Sequence, residues 1–149
     1  MTDYLEFTID KFTFRIASNR FYSDEGVWAM PENTKIRIGI SDYLQQRSGD
    51  VAFAEVKSVG TLVAFGGEFA VIETIKVNIS LPSPVAGRVI EVNPAMETAP
   101  EAINQDPYGA GWLAVIEVTG GETSLRHLLD PQAYFAKIKL EAEREVKKE

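Results

Sequence analysis

At 149 residues, with 45% hydrophobic and 25% charged side chains, the chain has the length and composition of one globular domain. It has no cysteine and one histidine, His127, which excludes disulfides, thiolate metal sites, a cysteine nucleophile and any multi-histidine metal centre. The net charge of −7 argues against nucleic acid as a partner, because phosphate neutralisation needs clustered lysine and arginine, and favours docking to basic protein surfaces.

Residues 1–149 are expected to form a single domain. Met1 to Glu6 carries no basic flank and no long apolar run, and no stretch is apolar enough to cross a bilayer. The expected location is cytoplasmic, with no membrane partner and no need for a second copy of the chain.

Over most of residues 4–16 apolar and polar side chains alternate, as in a half-buried strand. Short β-branched segments follow at 27–30, 35–40, 51–56, 61–65, 69–76, 85–92 and 112–118, punctuated by glycines. Regular short strands with glycine turns predict a mainly β sandwich or barrel. Asp42 to Arg47, before Ser48-Gly49, predicts a short helix. Residues 98–104 predict another, capped by Thr98 with Pro100 early in it. Thr123 to Leu129 reads as a helical turn or two. Asp130-Pro131 is then an N-cap followed by proline at the first helical position. Phe135, Ile138, Ala142 and Val146 recur at helical spacing, so the tail from about residue 123 to 149 carries an amphipathic helix.

The stretch with chemical content is residues 69–85: a strand, then Lys76 between Ile75 and Val77, then a second strand reaching Ser83-Pro84. A lysine at a hairpin tip presents an ammonium on a flexible stem, suited to covalent acylation. Local pattern alone favours an ordinary solvated lysine. Glu73 likewise reads either as a recognition group for a modifying enzyme or as a solvated carboxylate.

From about Trp28 to Leu113 an ordered string of residues resembles the H protein family of the glycine cleavage system, which are lipoyl carriers. Ile38-Gly39-Ile40-Ser41-Asp42-Tyr43 resembles the family's Val-Gly-Ile-Thr-Asp-Tyr, and Gly49-Asp50-Val51 its Gly-Asp-Val. Gly60 and Gly66 precede Glu73-Thr74-Ile75-Lys76, which resembles its Glu-Ser-Val-Lys. Asn104 to Leu113 resembles its Asn-Glu-Asp-Pro-Tyr-Gly-Glu-Gly-Trp-Leu. The resemblance implies a flattened β-barrel, or barrel-sandwich hybrid, of the biotinyl/lipoyl-carrier type, with short helices and a C-terminal helix. It implies lipoate in amide linkage to Lys76 and a protein that is a substrate of enzymes rather than an enzyme. Biotin is disfavoured, since biotin carriers flank their lysine with methionines.

Two positions depart from the family pattern. Val27 stands where the family has glutamate before its tryptophan, and Ser80 where it commonly has aspartate. The resemblance places both family carboxylates near an aminomethyl-loaded arm, whose positive charge they match. Neutral residues here suggest a different cargo. Phe12 to Ala17 and Gln45 to Asp50 resemble H-like lipoate-binding proteins of the sulfur-oxidising heterodisulfide-reductase-like system. The expectation is therefore a lipoyl carrier of sulfur oxidation. The alternatives are the glycine cleavage carrier itself, with Asp24 or Glu25 supplying the carboxylate, and an unmodified β-domain acting as an interaction module. Implied partners are a lipoate ligase or lipoyl transferase, a heterodisulfide-reductase-like complex or the glycine cleavage enzymes, and dihydrolipoyl dehydrogenase. Trp112 and Tyr108 are expected to pack, Asn104 and Asp106 to cap or close a turn, and His127 to sit in a helix-surface or packing role.

Overall fold

The computed structural model describes residues 3–119 and 125–147. Its first element corrects the expectation of one N-terminal strand. Residues 4–16 are a hairpin, β1 (Tyr4–Ile9) and β2 (Phe12–Ala17), paired antiparallel from Ile9↔Phe12 to Tyr4↔Ala17. The reversal falls at Asp10, which adopts a φ of 56°, a conformation aspartate tolerates better than most residues. The alternation shifts phase there, from Leu5, Phe7 and Ile9 to Phe12, Phe14 and Ile16 across Asp10-Lys11, which is the sequence mark of the turn.

A six-stranded sheet runs in the order β3 (Phe21–Tyr22), β4 (Val27–Glu32), β5 (Lys35–Ile40), β11 (Ala114–Val118), β10 (Gly87–Val92), β7 (Leu62–Val63). A three-stranded sheet holds β6 (Val51–Val56), β8 (Glu68–Thr74) and β9 (Asn78–Pro82). The fold is mainly β with short helices and a C-terminal helix, as expected. Its ladders run as separate antiparallel sheets and do not close into one barrel.

Two apolar clusters hold these layers. Ile36, Ile38, Val89 and Ile116 from the larger sheet meet Val51, Phe69, Ile72 and Leu81 from the smaller one. The second cluster joins Phe7, Phe14 and Ile16 of the hairpin, Trp28, Tyr43 and Tyr134, with Ile138 and Ala142. Strand β4 serves both, which explains its continuous apolar run: Val27 and Ala29 face the first cluster and Trp28 the second. Glycine at position 39 makes room for Trp28, since a β-carbon there would come within 2.5 Å of the indole ring. Arg20 is buried, stacks over Trp28 at 4.5 Å and donates to the Tyr108 carbonyl at 3.0 Å.

The expected helix at 42–47 is α1 (Asp42–Ser48), capped by the Ser41 hydroxyl and ended by Gly49. The tail helix is α4 (Pro131–Lys147), whose Ala133 N–H donates to Asp130 Oδ1 at 2.7 Å, as the Asp-Pro cap predicts. The helix expected at 98–104 is instead two single turns, α2 (Ala95–Thr98) and α3 (Ala102–Gln105). Thr98 ends the first rather than capping a helix. Ala99 lies outside the helical region at φ −152°, where the following Pro100 disfavours helical backbone. Residues 123 and 124 lie outside the described residues. After them, Leu128 N–H donates to the Leu125 carbonyl at 3.1 Å in one turn before Leu129 pairs with Tyr22.

Buried tyrosines give the fold a pH limit, Tyr22, Tyr108 and Tyr134 foremost. Burial raises the hydroxyl pKa of Tyr22 and Tyr134 well above the usual range, and that of Tyr108 to about 12. The unfolded chain ionises these groups near pH 10, roughly, while the folded chain keeps its protons. Stability is therefore complete below pH 10 and falls above it, by up to about 1.4 kcal/mol per pH unit for each tyrosine. Denaturant midpoints measured from about pH 8 to 11 check this, against the ordinary tyrosine range. A flat profile would contradict the burial of these hydroxyls.

Candidate functional site

Lys76 stands at the apex of the β8–β9 hairpin, three residues after Glu73 and two before Asn78, the last pair of the ladder, with Ile75 and Val77 flanking it. The turn is built by Thr74. Its N–H donates to the Val77 carbonyl at 2.8 Å, and its hydroxyl donates to the same carbonyl at 3.0 Å. That hydroxyl also accepts from the N–H groups of Lys76 (3.2 Å) and Val77 (3.0 Å). A short hydroxyl side chain that closes on nearby backbone defines a tight turn. The neighbouring strand anchors it further, as Ile75 N–H donates to the Asp50 carbonyl at 3.3 Å.

The tip is solvent-facing. Ile75 is 76% and Val77 48% exposed, and Lys76 is exposed between them. The aliphatic stem of Lys76 crosses Gly49 at the end of α1, where an added β-carbon would stand 3.3 Å from Lys76 Cε. Gly49 has a φ of 91°, which other residues adopt only with strain. Asn104 fixes this platform. Its Oδ1 accepts from Val51 N–H at 2.9 Å, and its Nδ2 donates to the Gly49 carbonyl and to Gln45 Oε1, both at 3.0 Å.

Asn104 therefore ties helix to strand over long range rather than capping or closing a turn of its own, which corrects the expectation for it. Asp106 does close one, accepting from Ala110 N–H at 2.8 Å. The positioning roles of Thr74 and Asn104 were not legible in sequence. Thr74 carries a signal in retrospect, a hydroxyl residue two positions before the apex. Asn104 carries none, because its partners lie more than fifty residues away. Thr74→Ala is expected to slow enzymatic acylation of Lys76 several-fold while Thr74→Ser stays near wild type, as timed by intact mass. Equal rates for all three would contradict a positioning role.

Glu73 is exposed at the end of β8, opposite Asn78 and Phe53, and forms no ion pair with Lys76 among the described residues. Val27 is fully buried in the core between the sheets, and Ser80 is exposed. The Ser80 hydroxyl donates to Glu68 Oε2 at 2.6 Å, so a carboxylate on β8 stands beside the position where the family commonly has one. Asp24 and Glu25 lie on an exposed turn, and Lys137 Nζ reaches Asp24 at 3.3 Å. Trp112 packs under the Arg37 guanidinium at 4.3 Å, and Tyr108 is buried against Trp28. His127 stacks edge-on against Phe65 at 4.1 Å, with Nε2 3.0 Å from the Pro84 carbonyl.

An accessible amine on a braced turn, with an open cavity of about 380 Å³ beside its stem, suits an acyl group in amide linkage. Fold and site thus define the class: a β-sheet carrier domain that presents one lysine at a hairpin apex. The family profile described as Glycine cleavage H-protein matches residues 20–141. A glycine cleavage system H protein of Thermus thermophilus is 40% identical over 127 residues, spanning 85% of this chain and 98% of that protein. A probable glycine cleavage system H protein of Natronomonas pharaonis is 40% identical over 126 residues, with the same shares covered. The crystal structure of a glycine cleavage system H protein from Mycobacterium marinum superposes with a TM-score of 0.73 at 29% identity, covering 82% of this chain and 98% of that one. The chain belongs to the glycine cleavage H-protein family, whose members are lipoyl carriers rather than enzymes. These relatives favour the glycine cleavage alternative over the sulfur-oxidation expectation. Among the described residues no helix is long and apolar enough to cross a membrane.

Proposed function

We propose that Lys76 is the lipoyl attachment site and that the chain, as one carrier domain, serves as the H protein of a glycine cleavage system in the cytoplasm. The observation that supports this best is the exposed Lys76 held at a braced apex inside the residue string that carries the family match. A lipoate ligase or lipoyl transferase would transfer its acyl group to Nζ. The amide bond forms as the donor's leaving group departs and the nitrogen loses its proton. Glu73, exposed three residues before, is available for that enzyme to read. Bound there, the lipoyl group supplies a redox-active disulfide and a tether for cargo. The chain's own residues supply position: Thr74 and Asp50 hold the apex, and Gly49 lets the stem cross α1. Tethering at one point raises the effective concentration of the arm at each partner site.

The partners on this reading are the glycine cleavage enzymes and dihydrolipoyl dehydrogenase. The test is reconstitution of lipoylated protein with those enzymes, reading glycine-dependent NAD reduction. Turnover that Lys76→Arg abolishes is the expected result. A second reading, a sulfur-oxidation cargo delivered to a heterodisulfide-reductase-like complex, rests on the neutral Val27 and Ser80. Absence of glycine-dependent turnover, with activity in the other reconstitution, would favour it.

A further inference from the structure

Three large apolar side chains stand in water at even steps along one short stretch: Val59, Leu62 and Phe65 are 63%, 70% and 59% exposed. The stretch surrounds β7, the last strand of the six-stranded sheet. One exposed apolar residue is ordinary, but three together on a sheet edge mark a contact surface. Gly60 and Gly66 lie beside Val59 and Phe65, and no described atom comes within 4 Å of a β-carbon placed on either. The edge also has backbone to offer. The Thr61 carbonyl accepts from Val89 N–H at 2.9 Å and Val63 pairs with Gly87, so both neighbours of Leu62 bond inward to β10. In an antiparallel ladder the residue between them turns its N–H and C=O outward, and among the described residues neither group of Leu62 has a partner.

Spacing and charge select the occupant. Val59 and Phe65 sit three residues on either side of Leu62. A two-fold axis at Leu62 sets it against its counterpart and brings Val59 of each copy towards Phe65 of the other, the self-complementarity that an isologous contact requires. Arg88 stands opposite Leu62 on β10, and Glu117 opposite Arg88 on β11. Across the axis the two arginines are three strand spacings apart, about 14 Å. That exceeds the screening length of about 8 Å at physiological salt, while each arginine keeps Glu117 one spacing away. Nearby, Lys57 pairs with Glu68 at 3.6 Å. Charges of both signs are thus paired at this edge, and the overall net charge of −7 does not bar a second copy. An enzyme acting on Lys76 docks elsewhere: β8 runs seven residues from Glu68, at this end, towards the apex, roughly 20 Å at the rise of a strand.

We infer that β7 is a self-association edge: two copies pair antiparallel through Leu62, joining their six-stranded sheets into one and leaving both Lys76 tips accessible. This departs from the expectation of a chain that needs no second copy, and it does not depend on lipoylation. The contact is small, under about 1,200 Å², so the dimer is weak and reversible, with a Kd of about 100 µM.

Sedimentation velocity of the full chain from about 1 µM to about 1 mM tests it, with a shift from monomer to dimer expected over that range. Leu62→Lys, which puts a charge on the edge, is expected to weaken association about ten-fold or more, and Phe65→Ser several-fold. Leu140→Lys, at an exposed leucine on α4, serves as the control and is expected to leave it unchanged. Amide resonances of residues 59–65 should shift with concentration while those of Ile75 to Val77 stay put. A chain that remains monomeric to about 1 mM overturns the inference and leaves the edge to a different protein. A dimer that Leu62→Lys does not weaken, or that Leu140→Lys weakens equally, overturns it as well. Lys76→Arg, which removes the acylated amine, is expected to leave the dimer intact, so this inference and the carrier reading fail separately.

Discussion

Val27→Glu is expected to destabilise the protein by about 3–5 kcal/mol, the scale of an uncompensated buried charge. Val27 is fully buried, pairs with Ile40 and lies in the cluster between the two sheets. Its N–H donates to Ser23 Oγ at 3.1 Å, which holds the start of β4 in place. A glutamate at this position either stays ionised without a partner or takes up a proton and still displaces packed valine. A guanidinium midpoint read at constant slope measures the loss. An unchanged midpoint would contradict the burial. Restoring the family's carboxylate here therefore tests folding rather than cargo. Ser80→Asp is the usable substitution, because Ser80 is exposed, although Glu68 beside it adds like-charge repulsion.

Trp28→Ala is expected to cost a similar amount, about 3–5 kcal/mol, by opening a large cavity. For a chain of this size that corresponds to a Tm lower by roughly 6–20 °C. Trp28 is fully buried, and its indole N–H donates to the Pro107 carbonyl at 3.0 Å. Its ring carries the Arg20 guanidinium, so truncation takes from a buried cation the nearer of its two aromatic faces, leaving Tyr108 at 5.1 Å. Calorimetry measures the effect. A loss under about 1 kcal/mol would mean that the second cluster closes over the gap, contrary to close packing.

The parts of the molecule legible in sequence are those governed by neighbours along the chain. The Asp130-Pro131 cap, the helix ended by Gly49 and the lysine between two short strands are local patterns, and the structure places all three as read. The hairpin at Asp10 has neither glycine nor proline in its turn, and its one local signal is the phase shift of the alternation across Asp10-Lys11. The helix at 98–104 was misread because Pro100 prevents Ala99 from being helical. Asn104 and the groove beside Lys76 were beyond local reading, since each is assembled from segments far apart in the chain. The identity of Val27 was visible, but its burial was not, and burial decides what a carboxylate there would do. Cargo is less legible than attachment, because attachment depends on one exposed amine and cargo on the charge of its surroundings.

The most direct test of the account is intact mass with peptide mapping across residues 69–88, after coexpression with lipoate ligases and lipoate. The account predicts a lipoyl increment on Lys76 that is absent in Lys76→Arg. No increment with any ligase that modifies related carriers, or an increment on another lysine, would contradict it.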